Sequence, residues 1–534
     1  MQNHQQSDRL SWGDTVFLHL ERDGMPLNVA SVSVLEGKIP FESCIQFVES
    51  KLPLIPRYLK RVVAPPLNIG LPSWEYDPAF DIRNHVREVT LRGGSDAELK
   101  TLAGKLFSTV MDRQHPLWDM TFVHGLKGNR TGLILRLHHC LADGIAGVGI
   151  MSKLLDVSQD AQRLPKKKFR LRVPPPRNPL DSLIDGVVNS YSDFVKRILS
   201  ALADLLSMAE RAAHGGTLLP TNEFTQLLPE ITAFTERLRF NVPYRGPQKF
   251  AWADISLAEV KAIRQTFGAS VNDVILALVT ATIRRYLELH GDRVKGRLLR
   301  MMVPVNLRGN GSAGELGNSI SLVPVTIPLD IRNPRKLLAA VHRRTEFLKG
   351  AHAAELVSLT AGLIGMFPTS VQALAGPVLS QLPITPFNLV CTNVPGPQYP
   401  LYLLGHKMVR WYPYVPVGGE MAVNCAILSY DGTVYFGFSG DVHAAPDLRR
   451  LEAFLKLSFE ELREAAGVGP PRKSQIRRKR NVRAKARKIS RPAPTPTTVR
   501  APIPITVPSL SVEPAQVSRP ATGEEERVLT QLIA

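Results

Sequence analysis

The sequence predicts an α/β protein made of two sheet-and-helix units joined by a helical crossover and followed by a disordered basic tail. Three observations carry this. Apolar strands ended by turn residues occur on both sides of a long helical stretch. Helix-period patterns are interleaved with those strands in each half, which is the arrangement of layered sheet-and-helix domains. The length, 534 residues, exceeds what one hydrophobic core usually serves.

The first unit spans residues 1–157. "LNVASVSVLEG" (27–37) and "TGLILRLHHC" (131–140) read as strands, alternating or continuously apolar and bounded by polar turns. Between them, residues 96–113 place Leu99, Leu102, Leu106 and Val110 at helical spacing, which predicts one buried helix face. Residues 158–249 read as a crossover between the halves, with a basic, proline-rich entry and a helical pattern over 180–213, or equally as helices packed on the first unit.

The second unit spans 250–467. "SLAE" (256–259) predicts a capping box that opens a helix ending near Gly268, and "SVND" (270–273) starts a longer one. Strands are expected at 300–305, 319–328 and 387–394. Residues 421–441 should form a hairpin, because Asp431-Gly432 tolerates the positive φ angles of a two-residue turn.

Composition narrows the function. Apolar residues at 44% and charged residues at 21% describe a folding, globular chain. Cys44, Cys140, Cys391 and Cys425 are widely spaced with no CxxC pair, so neither a zinc ribbon nor a disulfide framework is expected. The polar opening "MQNHQQSDRLSWGD" lacks the apolar stretch of a secretory signal. Residues 356–405 carry no Asp, Glu, Lys or Arg, yet their longest apolar run, 356–367, is 12 residues. A bilayer span needs about 20. That run reads as a buried helix pair or as a surface leaning on lipid. Of the +19 net charge, the tail from 472 on supplies more than half, with 14 Lys or Arg against four Glu. Rich in basic residues and proline, the tail (468–534) cannot bury enough surface to fold. It suits an anionic lipid surface at about 1 kcal/mol per basic residue, or non-specific nucleic-acid contact.

Chemistry concentrates in "HHCLADG" (138–144). His138 and His139 end a strand and therefore point to opposite faces, so one of them at most faces a given cavity. Asp143 is placed to brace the following turn, and Gly144 to let backbone approach closely. A metal site fits poorly, because adjacent strand histidines diverge, unlike the i, i+4 pair of a zinc-binding helix. No GxSxG elbow supports a hydrolase triad. A catalytic base and a structural polar pair both remain open on these seven residues alone.

The motif resembles the HHxxxDG signature of the bacterial wax ester synthase/diacylglycerol acyltransferase family. That family sits within the CoA-dependent acyltransferases that resemble chloramphenicol acetyltransferase and condensation domains. Further matches follow in order: "PLW" (116–118), "ND" (272–273), "PVNLR" (304–308), "LGNSIS" (316–321) and "NVPGP" (393–397). The resemblance spans residues 10–467. It implies two chloramphenicol-acetyltransferase-like domains with the active site at their interface, and an O-acyltransferase moving a long-chain acyl group from acyl-CoA to diacylglycerol. His139 would be the general base, with His138, Asp143 and Gly144 in support. Asn272 and Asp273 would lie at the active-site interface near the oxyanion, although helix capping explains their position equally well. Pro116, Leu117 and Trp118 would line the substrate pocket as wall or packing. No metal and no cofactor is implied beyond the CoA of the substrate. The insoluble acceptor and the basic tail imply a cytoplasmic protein held peripherally at a membrane or lipid droplet, and acyl transfer of this kind calls for no nucleic-acid partner. Wax ester synthesis from a fatty alcohol is the alternative within the family. A silent lipid-binding or nucleic-acid-binding protein is the alternative outside it.

Overall fold

A computed structural model describes residues 9–68, 70–160, 235–306, 320–350 and 387–469. Helix α1 (Trp12–Leu20) opens on a complete capping box: Ser11 Oγ accepts the Asp14 N–H at 3.0 Å, and Asp14 accepts the Ser11 N–H in return. Then come β1 (Asn28–Glu36), α2 (Phe41–Lys51), the hairpin β2 (Lys60–Val63) and β3 (Ser73–Tyr76), α3 (Ile82–His85), β4 (Val86–Thr90), α4 (Asp96–Phe107), β5 (Trp118–Leu126), β6 (Arg130–His138) and α5 (Gly144–Leu154). The second half contributes β7 (Gln248–Ser256), α6 (Leu257–Phe267), α7 (Val271–Leu289), β8 (Leu298–Asn306), β9 (Ile320–Pro328), α8 (Pro334–Gly350), β10 (Leu389–Pro395), β11 (Tyr402–Leu403), β12 (His406–Tyr414), β13 (Val423–Tyr430), β14 (Thr433–Asp441) and α9 (Arg450–Ala465).

Two six-stranded sheets organise these elements, one in the order β11-β12-β1-β6-β5-β4 and the other β7-β14-β13-β10-β8-β9. Each has its own apolar core. This is the two-unit α/β architecture that the strand and helix patterns predict. The 421–441 hairpin forms as β13 and β14, with Asp431 at φ 44° and Gly432 at φ 78° in the turn. Gly268 ends α6 in the left-handed region, at φ 63°, where a residue without Cβ fits.

One feature departs from the linear division into an earlier and a later unit. β11 and β12 come from the second half of the chain, yet β12 pairs antiparallel with β1 in the first sheet, Ala30 opposite Tyr414 and Ser33 opposite Trp411. The strand therefore sews the two halves together. Aromatic stacking of Trp252 on Tyr412, at 4.7 Å and 15°, adds to the seam. So does the Lys100–Glu452 ion pair at 2.7 Å. A Cβ on Gly437 of β14 would fall 1.8 Å from the Pro413 carbonyl of β12, so only glycine lets these strands cross so closely.

Two local expectations are corrected. The helix expected over 96–113 stops at Phe107, because the buried Arg136 reaches its end. Arg136 donates to the Leu106 carbonyl and to Thr109 Oγ1 while paired with Asp119, and so takes up carbonyls a longer helix would use. Val110 is accordingly exposed, and the buried face runs through Leu99, Ala103 and Phe107. "SLAE" makes half a capping box: Ser256 accepts the Glu259 N–H, but Glu259 pairs with Arg463 of α9 instead of reaching back.

No single described helix is long and apolar enough to cross a membrane; α6 and α7 together would be, but they are bent by 101°, and α7 is buried along most of its length. Most of the expected crossover, the apolar run at 356–367, most of "LGNSIS" and the tail from residue 470 lie outside the described residues.

Candidate active site

Strand β6 delivers the two histidines. It lies between β1 and β5, with Asn28 opposite His138 and Trp118 opposite Leu137. Backbone bonds continue past the strand end: His138 N–H donates to the Leu117 carbonyl at 3.0 Å, and His139 N–H to the Leu27 carbonyl at 2.9 Å. The two rings meet different partners, His138 Glu21 just after α1 and His139 Phe17 within it.

His138 is completely buried. Its Nδ1 accepts the Cys140 N–H at 3.1 Å, which makes Nδ1 the unprotonated nitrogen and leaves the proton on Nε2. Nε2 in turn faces Glu21 Oε2 at 3.3 Å, close enough for charge to act but off the line of a well-aligned hydrogen bond. Glu21 follows α1 and is itself buried. It accepts the Leu27 N–H at 3.0 Å and Arg113 Nη2 at 3.1 Å, and Arg113 also donates to the Leu18 carbonyl at 2.7 Å. Burial alone would raise the Glu21 carboxyl, but His138, the Leu27 N–H and Arg113 outweigh it and hold it at about 2.

His139 is half-buried as a residue, with its Nδ1 enclosed. The ring lies face to face on Phe17 of α1, centroids 3.8 Å apart and planes 6° from parallel. Withdrawal from bulk water lowers its pKa to about 4, opposed by a hydrogen bond to its own backbone. It is thus a neutral imidazole at physiological pH.

Asp143 caps α5, accepting the Ala146 N–H at 2.7 Å from an almost wholly buried position. The bracing geometry is that of a helix N-cap. Gly144 starts the helix against β10, where a Cβ would meet Val394 Cγ2 at 2.9 Å. The motif loop from the first half therefore touches "NVPGP" of the second.

Asn272 lies in the first turn of α7, where Asn393 Nδ2 of β10 donates to its Oδ1 at 3.3 Å. β10 thus meets both the motif loop and Asn272. Asp273 is committed elsewhere. Fully buried, it accepts the Ser270 N–H at 2.8 Å, Thr345 Oγ1 at 2.7 Å and His342 Nδ1 at 2.9 Å, tying α7 to α8. Burial would raise its carboxyl, but these donors hold it below the usual range. Capping accounts for this aspartate.

The expected pocket-wall residues Pro116, Leu117 and Trp118 are buried in packing. Trp118 stacks on Tyr58 (4.3 Å) and on His85 (4.6 Å), and its Nε1 donates to the Tyr58 carbonyl at 2.8 Å. These residues support β6 from the neighbouring strand. A ring so enclosed offers substrate no face.

Glu21 and Phe17 were not foreseen from the sequence. The available signal was "SWGD" ahead of an apolar run, a capping box that marks α1, but nothing local says which histidine its far end will meet. Among the described residues no group of three or more His, Cys, Asp or Glu side chains converges as a metal site would need.

Residues 10–275 match the model of the wax ester synthase/diacylglycerol acyltransferase catalytic domain, and 316–463 match the C-terminal domain of the same family. The chain is 28% identical over 436 residues to a probable diacylglycerol O-acyltransferase, tgs1, of Mycobacterium tuberculosis, covering 80% of this chain and 89% of that one. It is 28% identical over 470 residues to tgs2 of the same organism, covering 86% and 100%. In fold it is similar to the wax ester synthase/diacylglycerol acyltransferase of Marinobacter aquaeolei VT8, at a TM-score of 0.60 and 23% identity over 86% of this chain and 100% of that one. It is also similar to the first condensation domain of the calcium-dependent antibiotic synthetase, at 0.54 and 15% identity over 86% and 96%. With both domain models matched in order around the HHxxxDG loop, the chain belongs to the wax ester synthase/diacylglycerol acyltransferase family of acyl-CoA-dependent O-acyltransferases.

Proposed function

We propose that the protein transfers a long-chain acyl group from acyl-CoA to the hydroxyl of diacylglycerol, giving triacylglycerol, with His139 as general base. The observation that carries this reading is the contrast between two adjacent histidines: His138 is fully buried with its Nδ1 bonded to Cys140, whereas His139 is half-buried and held neutral. An alcohol is a poor nucleophile at neutral pH. A neutral imidazole that takes its proton as the oxygen attacks the thioester carbonyl contributes about 10²–10⁴-fold in rate. Collapse of the tetrahedral intermediate breaks the carbon–sulfur bond, and the imidazolium returns the proton to the departing thiolate. No covalent acyl-enzyme, metal or cofactor enters; CoA is carried by the substrate.

His138 orients the loop, Asp143 caps α5, and Gly144 lets the loop approach β10. The oxyanion role expected of Asn272 and Asp273 falls to Asn272 alone, since an ionised carboxylate has no proton to donate. The insoluble acceptor and the basic tail favour a cytoplasmic enzyme resting on a membrane or lipid droplet.

The test incubates the purified full-length chain with labelled acyl-CoA and equimolar diacylglycerol and long-chain alcohol, then separates the products. Label chiefly in triacylglycerol supports the acceptor assignment. Label chiefly in wax ester overturns it while keeping the chemistry, and absence of either ester overturns the chemistry.

A further inference from the structure

The buried carboxylate beside the first histidine has a place in the site that packing does not explain. Glu21 is enclosed, so an unpaired charge there would be costly. Its two oxygens meet three groups: the Leu27 N–H, Arg113 Nη2 and the His138 Nε2 edge. Two of these lead to the histidine pair by separate routes. Nε2 belongs to the His138 ring, whose Nδ1 is already fixed as acceptor by Cys140. Leu27 holds His139 through its own carbonyl, which accepts the His139 N–H. One side chain thus governs the ring of the first histidine and the backbone of the second.

We propose that Glu21 is a positioning residue that holds His138 as the Nε2–H tautomer and, through Leu27, sets the placement of His139. The inference rests on His139 being the base. It extends the motif to a carboxylate more than a hundred residues upstream. Arg113 serves the carboxylate in turn, by neutralising it and anchoring it to the α1 carbonyl of Leu18. The tautomer is decided by which neighbour donates and which accepts. With Cys140 donating to Nδ1, only an acceptor opposite Nε2 is compatible, and a carboxylate is acceptor-only.

The experiment compares wild type, Glu21→Gln, His138→Gln and the double variant, with His139→Ala alongside. An amide at position 21 keeps the shape but turns an NH₂ toward groups that are all donors. The expected result for Glu21→Gln is a kcat lowered about ten- to hundredfold, as for loss of a charge-assisted hydrogen bond, with KM for acyl-CoA within about twofold. The double variant should lose clearly less than the product of the two single losses, because both changes act on the His138 ring while only Glu21→Gln also acts through Leu27. Multiplying losses, an unchanged kcat, or a KM that rises in step would overturn the assignment. Nitrogen-15 spectra of histidine-labelled wild type, with the His138 signal identified by its loss in His138→Gln, give a second readout that does not depend on turnover. An Nε2–H pattern across neutral pH supports the proposal, and an Nδ1–H pattern overturns it. If His139→Ala still turns over, the base assignment itself fails; if it is inactive while Glu21→Gln matches wild type, only the positioning role fails.

Discussion

Replacing Gly144 by alanine probes the contact that brings the motif loop onto the second half of the chain. An added Cβ would sit 2.9 Å from Val394 Cγ2. Carbon atoms pack best at about 3.5–4.0 Å, so the methyl group intrudes by about 0.6 Å or more. Val394 yields poorly, since a β-branched side chain on a strand has little rotamer freedom. Overpacking of this kind costs about 1–3 kcal/mol. Alanine recovers up to about 1 kcal/mol through helix propensity, and less at the first helical position. Gly144→Ala should therefore lose about 1–2 kcal/mol. Val394→Ala, which removes two methyl groups from a half-buried site, should lose about 1 kcal/mol. In the Val394→Ala background the clash is gone, so adding Gly144→Ala should be neutral or mildly stabilising. Urea denaturation of the four proteins measures this, and turnover of each reports whether the loop has moved. Additive losses, or a Gly144→Ala protein as stable as wild type, would refute the cross-half contact.

Three other outcomes follow from the site. Because the base must be unprotonated, and burial lowers His139 to about 4, kcat/KM should fall only as pH drops through about 4 and stay level above pH 6; an acid limb near 6.5, the ordinary histidine value, would contradict the burial. Asp143→Ala removes the α5 cap and should cost about 1 kcal/mol in urea denaturation, and an unchanged midpoint would argue against capping. Trp118→Phe strands the buried Tyr58 carbonyl and should cost about 1–3 kcal/mol while leaving KM for acyl-CoA within about twofold; a large rise in KM would return Trp118 to the substrate wall.

What could be read from the sequence was what depends on near neighbours. Alternation and turn chemistry located β1, β6, β13 and β14, and "SVND" started α7 where expected. The HHxxxDG spacing located the loop, because strand end, cap and helix start all lie within seven residues. Features set by distant partners were not legible. Arg136 shortens α4 from a strand that follows it, and Arg463 draws Glu259 from two hundred residues away. β12 crosses to the first sheet although nothing in "HKMVRWYPY" says which edge it will join. The same holds for Glu21 and Phe17, whose roles exist only once α1 lies against the end of β6. For Trp118 the sequence left wall and packing both open, because an aromatic residue in a motif looks the same whether it faces substrate or core, and the structure shows packing.

The most direct measurement is single-turnover ester formation by His139→Ala, with circular dichroism and thermal denaturation confirming a native fold. The account predicts product formation slowed by at least about a hundredfold with acyl-CoA still bound. Wild-type rates from that folded variant would contradict it.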